Sequence, residues 1–72
     1  GIYDAMLVAS GRMEVWMEPS VAPWDLCAPV CILREAGAKF FALNGKPGIY
    51  EGNGVACAPG LETEVRRFLG VA

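Results

Sequence analysis

A layered α/β fold with elements in the order α, β, α, β, β, α is what the 72-residue sequence predicts. Three observations carry this expectation. Apolar side chains recur at helical spacing near both ends of the chain. Residues 12–18 alternate with a period of two, and the run from Leu26 to Leu33 has no charged side chain at all. Strands interleaved with helical patterns favour layered packing of helices on a sheet.

Taken in order, residues 2–10 place Ile2, Met6 and Ala9 on one helical stripe, and Gly11 ends the pattern as a glycine after a helix should. In "RMEVWME", Met13, Val15 and Met17 face one way and Arg12, Glu14, Trp16 and Glu18 the other, the signature of a strand. "PSVAP" is a proline-bracketed loop. A helix is expected from Asp25 to Ala36, with Asp25 at or near its N-cap and Leu26, Val30 and Leu33 on one stripe. Pro29 removes the backbone bond to the Asp25 carbonyl, tolerable only in or next to the first turn. Gly37 closes this helix. "AKFFAL" and "GVACA" read as strands separated by glycine-rich turns in "NGKPG" and "EGNG". "LETEVRRFL" sets Leu61, Val65, Phe68 and Leu69 on one stripe, with acids early and arginines late to suit the helix dipole.

Composition narrows the classes. Hydrophobic residues make up 54% of the chain and mean hydropathy is +0.36, high for a chain this short. A small chain buries only about 60% of its unfolded surface, so excess apolar surface points to a partner that covers it. The helix at 25–36 is apolar almost all round and needs cover on more than one side. Six basic against eight acidic residues give a net charge of −2 and no footprint for nucleic acid. No apolar run approaches the ~20 residues of a membrane span. The chain opens in mid-pattern without an initiator Met, as a truncated polypeptide would. Its three cysteines are expected to be reduced and its location cytoplasmic. It has no histidine, which removes the commonest general base.

Among candidate chemistry-bearing residues, Asp25 leads. Its spacing fits a helix cap, worth about 1 kcal/mol. Spacing alone favours the cap; the functional reading is a metal ligand beside the positive helix end, where a phosphate could settle. One carboxylate cannot hold Mg²⁺ alone, since the ion takes an octahedron of oxygens. Glu18 lies seven residues earlier, where a strand–loop–helix path could turn it toward the same cavity; otherwise it is a solvated strand residue like Glu14. Cys27 and Cys31 lie one helical turn apart and read, with Cys57, as small buried side chains. A thiol redox pair would need an electropositive setting that their apolar neighbours do not provide. Trp16 is read as core and Trp24 as a pocket wall.

"GRMEVWMEPSVAPWDLCAPVCILREAGAKF" resembles the C-terminal signature of the inositol monophosphatase superfamily of Mg²⁺-dependent phosphomonoesterases. The signature appears as Trp24–Asp25, the small residues Cys27 and Ala28, the aliphatic Val30 to Leu33, and Glu35-Ala36-Gly37. Ala38 stands where the family has a final glycine, and Cys27 where it has alanine. The resemblance extends through essentially the whole chain. It implies that Asp25 binds a catalytic Mg²⁺, that Glu18 contacts the substrate alcohol, and that Trp24 and the small residues let the helix end approach the metal. It also implies a metal-activated water as the attacking group, a small phosphorylated substrate and a homodimeric parent.

The family's other metal ligands, in a Glu-Glu segment and an Asp-Pro-(Ile/Leu)-Asp-Gly-(Thr/Ser) segment, are absent. Residues 1–72 are therefore expected to be the C-terminal part of the family's α/β/α/β/α sandwich, inactive alone, with the missing N-terminal part as partner. The flavour of "EPSVAPWDLCAPV" favours a histidinol-phosphatase-like or related bacterial branch. The alternative expectation is a stand-alone α/β interaction module that buries its apolar faces by oligomerising.

Overall fold

The computed structural model describes residue 11 and residues 14–71. The helix expected at 2–10, and the start of the first strand at Arg12 and Met13, lie outside the described residues. Within them the order is strand β1 (Val15–Glu18), helix α1 (Pro23–Glu35), strands β2 (Lys39–Phe41) and β3 (Gly54–Cys57), a 3₁₀ turn (Pro59–Leu61) and helix α2 (Glu62–Leu69). This is the α/β order expected from β1 onward.

The three strands form one sheet in the order β1-β3-β2, with β3 antiparallel to both neighbours. β1 and β2 therefore run parallel, and α1 carries the chain between them across the inserted β3. Trp16 pairs with Ala56 and Glu18 with Gly54 on one side of β3, while Phe40 pairs with Ala56 on the other.

Each face of the sheet carries its own core. On one face Trp16, Phe40 and Ala56 pack with Leu26, Val30 and Leu33 of α1, joined by Val21, Ala38 and Ile49. On the opposite face Phe41, Val55, Cys57 and Val65 form a second core with Val15, Leu43, Leu61 and Leu69. β1 alternates as its sequence requires, but the alternation divides one core from another, not core from solvent. Trp16 accordingly sits buried, as read, on the face it shares with Glu18, and its indole Nε1 has no hydrogen-bond partner among the described residues.

α1 begins two residues before the expected start, because Pro23 occupies the first turn, where its fixed φ suits a helix and its missing N–H costs nothing. The N-cap is Ala22 and no side chain caps the helix. The expected N-cap role of Asp25 is thus corrected: Asp25 is the third helical residue. The shift also moves Pro29 out of the first turn and into the helix proper, where it is buried. Gly37, with φ +85, takes the left-handed position after the helix that favours glycine.

Leu26, Pro29, Val30 and Leu33 form the buried stripe of α1. Trp24, Cys27, Ala28, Cys31 and Ile32 are exposed. The expectation that Cys27 and Cys31 are buried therefore fails among the described residues, whereas Cys57 is buried as expected. Phe68, expected on the core stripe of α2, is 82% exposed. Three residues beyond buried Val65 with Leu69 beside it, it falls past the edge of the stripe. Arg66 fastens α2 to the sheet: its guanidinium lies 4.1 Å from the Phe41 ring centroid, bonds Glu62 at 3.0 Å and donates to the Gly45 carbonyl at 3.2 Å.

Candidate functional site

The site is built where β1 hands the chain to α1. β1 ends at Glu18, and α1 starts five residues later at Pro23. The end of the strand and the first turn of the helix therefore lie at the same end of the sheet. Strand alternation puts Glu18 on the same face as Trp16, the face that α1 covers. Glu18 is half-buried, unlike the exposed Glu14, so it is not the freely solvated strand residue that spacing alone allowed.

Asp25 is exposed, in the first turn of α1, at the positive end of the helix dipole. Its N–H donates to the Ala22 carbonyl at 3.0 Å. Its carboxylate caps no backbone N–H. Pro29 has no N–H to give to the Asp25 carbonyl, so the main chain at residue 25 lacks its usual helical donor. Trp24, 80% exposed, stands beside it at the second helical position. Two shallow clefts elsewhere, one against α2 near Thr63 and Arg67 and one beside Arg34 and Lys39, include none of Glu18, Trp24 or Asp25.

Among the described residues no group of three or more His, Cys, Asp or Glu could hold a metal ion. A hard divalent cation prefers oxygen donors and takes about six. Asp25, an exposed carboxylate committed to no cap, suits such an ion as one contributor. The described residues do not make a complete shell.

The loop between β2 and β3 also belongs to this end of the sheet, although its residues read only as turns. Val21, in the link from β1 to α1, donates its N–H to the Gly52 carbonyl at 2.8 Å. Asn53 follows Gly52 and immediately precedes Gly54, the strand partner of Glu18. The one sequence signal was the Gly-Asn-Gly pattern, which announces a turn but not what the turn touches.

Fold and site together define a layered α/β protein with two carboxylates held at one end of its sheet. A profile of the inositol monophosphatase family matches residues 1–68. A histidinol-phosphatase of Streptomyces coelicolor is 38% identical over 64 residues, which are 89% of this chain and 24% of that protein. An inositol-1-monophosphatase of Mycobacterium bovis is 36% identical over 75 aligned positions, covering 94% and 25%. Among solved structures, inositol monophosphatase II of Staphylococcus aureus superposes with a TM-score of 0.82 at 28% identity, over 92% of this chain and 26% of that one. This chain belongs to the inositol monophosphatase family. It spans about a quarter of the length of the relatives it matches.

Proposed function

We propose that residues 1–72 form the C-terminal α/β part of a Mg²⁺-dependent phosphomonoesterase acting on a small phosphorylated alcohol, of the histidinol phosphate or inositol monophosphate type. The observation that carries this reading is Asp25: an exposed first-turn carboxylate, free of capping duty, in a chain matched along residues 1–68 by the family profile. In this reading Asp25 supplies one Mg²⁺ ligand, Glu18 accepts a hydrogen bond from the substrate alcohol, and Trp24 flanks the ligand. Bound Mg²⁺ would activate water and stabilise the leaving alkoxide.

The work of this chain's own residues is to hold and orient. The sheet fixes Glu18 through its pairing with Gly54, and the α1 core fixes the first turn from which Asp25 extends. The exposed apolar side of α1, with Cys27, Cys31 and Ile32, would be covered by the N-terminal part of the same polypeptide, which would bring the remaining metal ligands. A homodimeric parent and a cytoplasmic location complete the reading, the latter supported by three free cysteines.

The test is hydrolysis of histidinol phosphate and inositol 1-phosphate by the full-length protein across a Mg²⁺ titration. Asp25→Asn should lower activity at least tenfold and weaken the response to Mg²⁺, while Glu18→Gln should act mainly on the substrate. Wild-type hydrolysis that ignores Mg²⁺, or that survives Asp25→Asn unchanged, would overturn the proposal.

A further inference from the structure

Resting on that reading, we infer that Asn53 is a positioning residue for the Asp25 metal ligand, acting through a clamp between the β2–β3 loop and the start of α1. Asn53 is itself part-buried and closes the loop at its base. Its Oδ1 accepts the Leu43 N–H at 2.8 Å, ten residues back along the chain, and its Nδ2 donates to the Glu51 carbonyl at 3.4 Å. The loop is tied again inside this closure: Asn44 Nδ2 donates to Glu51 Oε1 at 2.7 Å, and the Lys46 N–H to Asn44 Oδ1 at 3.0 Å.

Between Glu51 and Asn53 stands Gly52, with φ +81, whose carbonyl accepts the Val21 N–H at 2.8 Å. Val21 is followed by Ala22, the N-cap of α1, whose carbonyl accepts the Asp25 N–H. Val21 and Ile49, one from each segment, also pack against the same core. Two main-chain hydrogen bonds, Val21 to Gly52 and Asp25 to Ala22, together with the peptide links on either side, thus connect Asn53 to the ligand-bearing turn. That turn has no side-chain cap of its own to hold it, so its position depends on what grips the residues before it.

Groups that orient a metal ligand from behind are worth roughly 10–100-fold in metal affinity or activity. The experiment uses the full-length protein and Mn²⁺ as probe, with binding followed by electron paramagnetic resonance and amide exchange followed by mass spectrometry or NMR. Asn53→Ala should weaken Mn²⁺ binding about tenfold or more and speed exchange at the Val21 amide. The Ala38 amide, bonded to Leu33 at the far end of α1, should keep its rate. Asn53→Asp keeps the acceptor for Leu43 but not the donor to Glu51, and should lose less.

Unchanged Mn²⁺ affinity in Asn53→Ala, with Asp25→Asn weakened, would overturn this inference alone. Equal affinity in wild type and Asp25→Asn would overturn the metal reading and this inference with it. If Asn53→Ala does not fold, Asn53→Leu, of similar size but without either polar atom, carries the test: wild-type affinity together with wild-type Val21 exchange refutes the clamp.

Discussion

Gly54→Ala is the substitution on which the packing argument can be pressed hardest. Gly54 is a fully paired strand residue with an ordinary φ, so backbone strain is not at issue. A Cβ added there would meet Cε2 and Cζ of Phe40 at 2.6 Å, at least 0.8 Å inside the 3.4 Å at which ordinary contact begins. Phe40 is diagonal to Gly54 across the β2–β3 pair, and its ring lies over the glycine in the space a side chain would fill. It cannot swing clear, because it is 7% exposed and held in the core that Leu26, Val30 and Leu33 complete. Forcing an extra methyl into such packing costs about 1–3 kcal/mol.

The assay is denaturant unfolding of the full-length protein, wild type against Gly54→Ala, with the slope checked to be unchanged. Because Gly54 pairs with Glu18, the displaced sheet should also raise KM more than it lowers kcat. Phe40→Leu combined with Gly54→Ala should recover part of the loss, with a coupling of about 0.5–3 kcal/mol. A single Gly54→Ala variant within about 0.5 kcal/mol of wild type would refute the reasoning, since it would show that the ring yields freely.

Other predictions follow from burial and charge. Leu33→Ala should cost about 2–5 kcal/mol, since Leu33 is fully buried, whereas Phe68→Ser should leave the unfolding midpoint nearly unmoved. In the isolated chain iodoacetamide should label Cys27 and Cys31 and spare Cys57; in the full-length protein Cys27 and Cys31 should also be protected if the N-terminal part covers α1. Burial raises the Cys57 thiol pKa, the Glu62 carboxylate adds to the rise and Arg66 opposes it. The folded state therefore favours the neutral thiol, so the Cys57 contribution is full below the unfolded thiol pKa of about 8.5 and is lost as pH rises through the folded value. Cys57→Ala should flatten that alkaline loss of stability, measured as unfolding midpoint against pH.

Order and type of the described elements were legible because their patterns are local. Val15 to Glu18 alternate, α1 carries a Leu26-Val30-Leu33 stripe, and acids precede arginines in α2. What covers each stripe was not legible. Trp16 was legible as core from its size, but the alternation of β1 reports two faces without saying that both are dry, so the second core behind Val15 was not. Cys27 and Cys31 looked buried because an apolar side chain implies a neighbour without saying which chain segment provides it. The close approach of Phe40 to Gly54 joins residues fourteen apart, and no local pattern announces it. For Asp25, spacing favoured a cap, and only the family resemblance pointed to a ligand. Pro23 starts the helix two residues earlier, which leaves the acid inside the first turn and Ala22 at the N-cap.

The same early start gives Pro29 its meaning. Had α1 begun at Asp25, Pro29 would have cost almost nothing, lying in or beside the first turn. Beginning at Pro23, the helix loses a bond onto the Asp25 carbonyl in its second turn. A proline in a helix interior costs about 3 kcal/mol relative to alanine, and here it is partly offset by burial of the ring beside Val30 and Leu33. Pro29→Ala should therefore stabilise the protein by less than the full propensity difference, because the methyl buries less surface than the ring it replaces. It would also return a helical donor to the Asp25 carbonyl and tighten the first turn. If that turn needs its present geometry to present Asp25, the variant will be more stable yet weaker in binding Mn²⁺. A Pro29→Ala variant that gains stability and binds Mn²⁺ as wild type does would show that the proline shapes the helix without tuning the ligand.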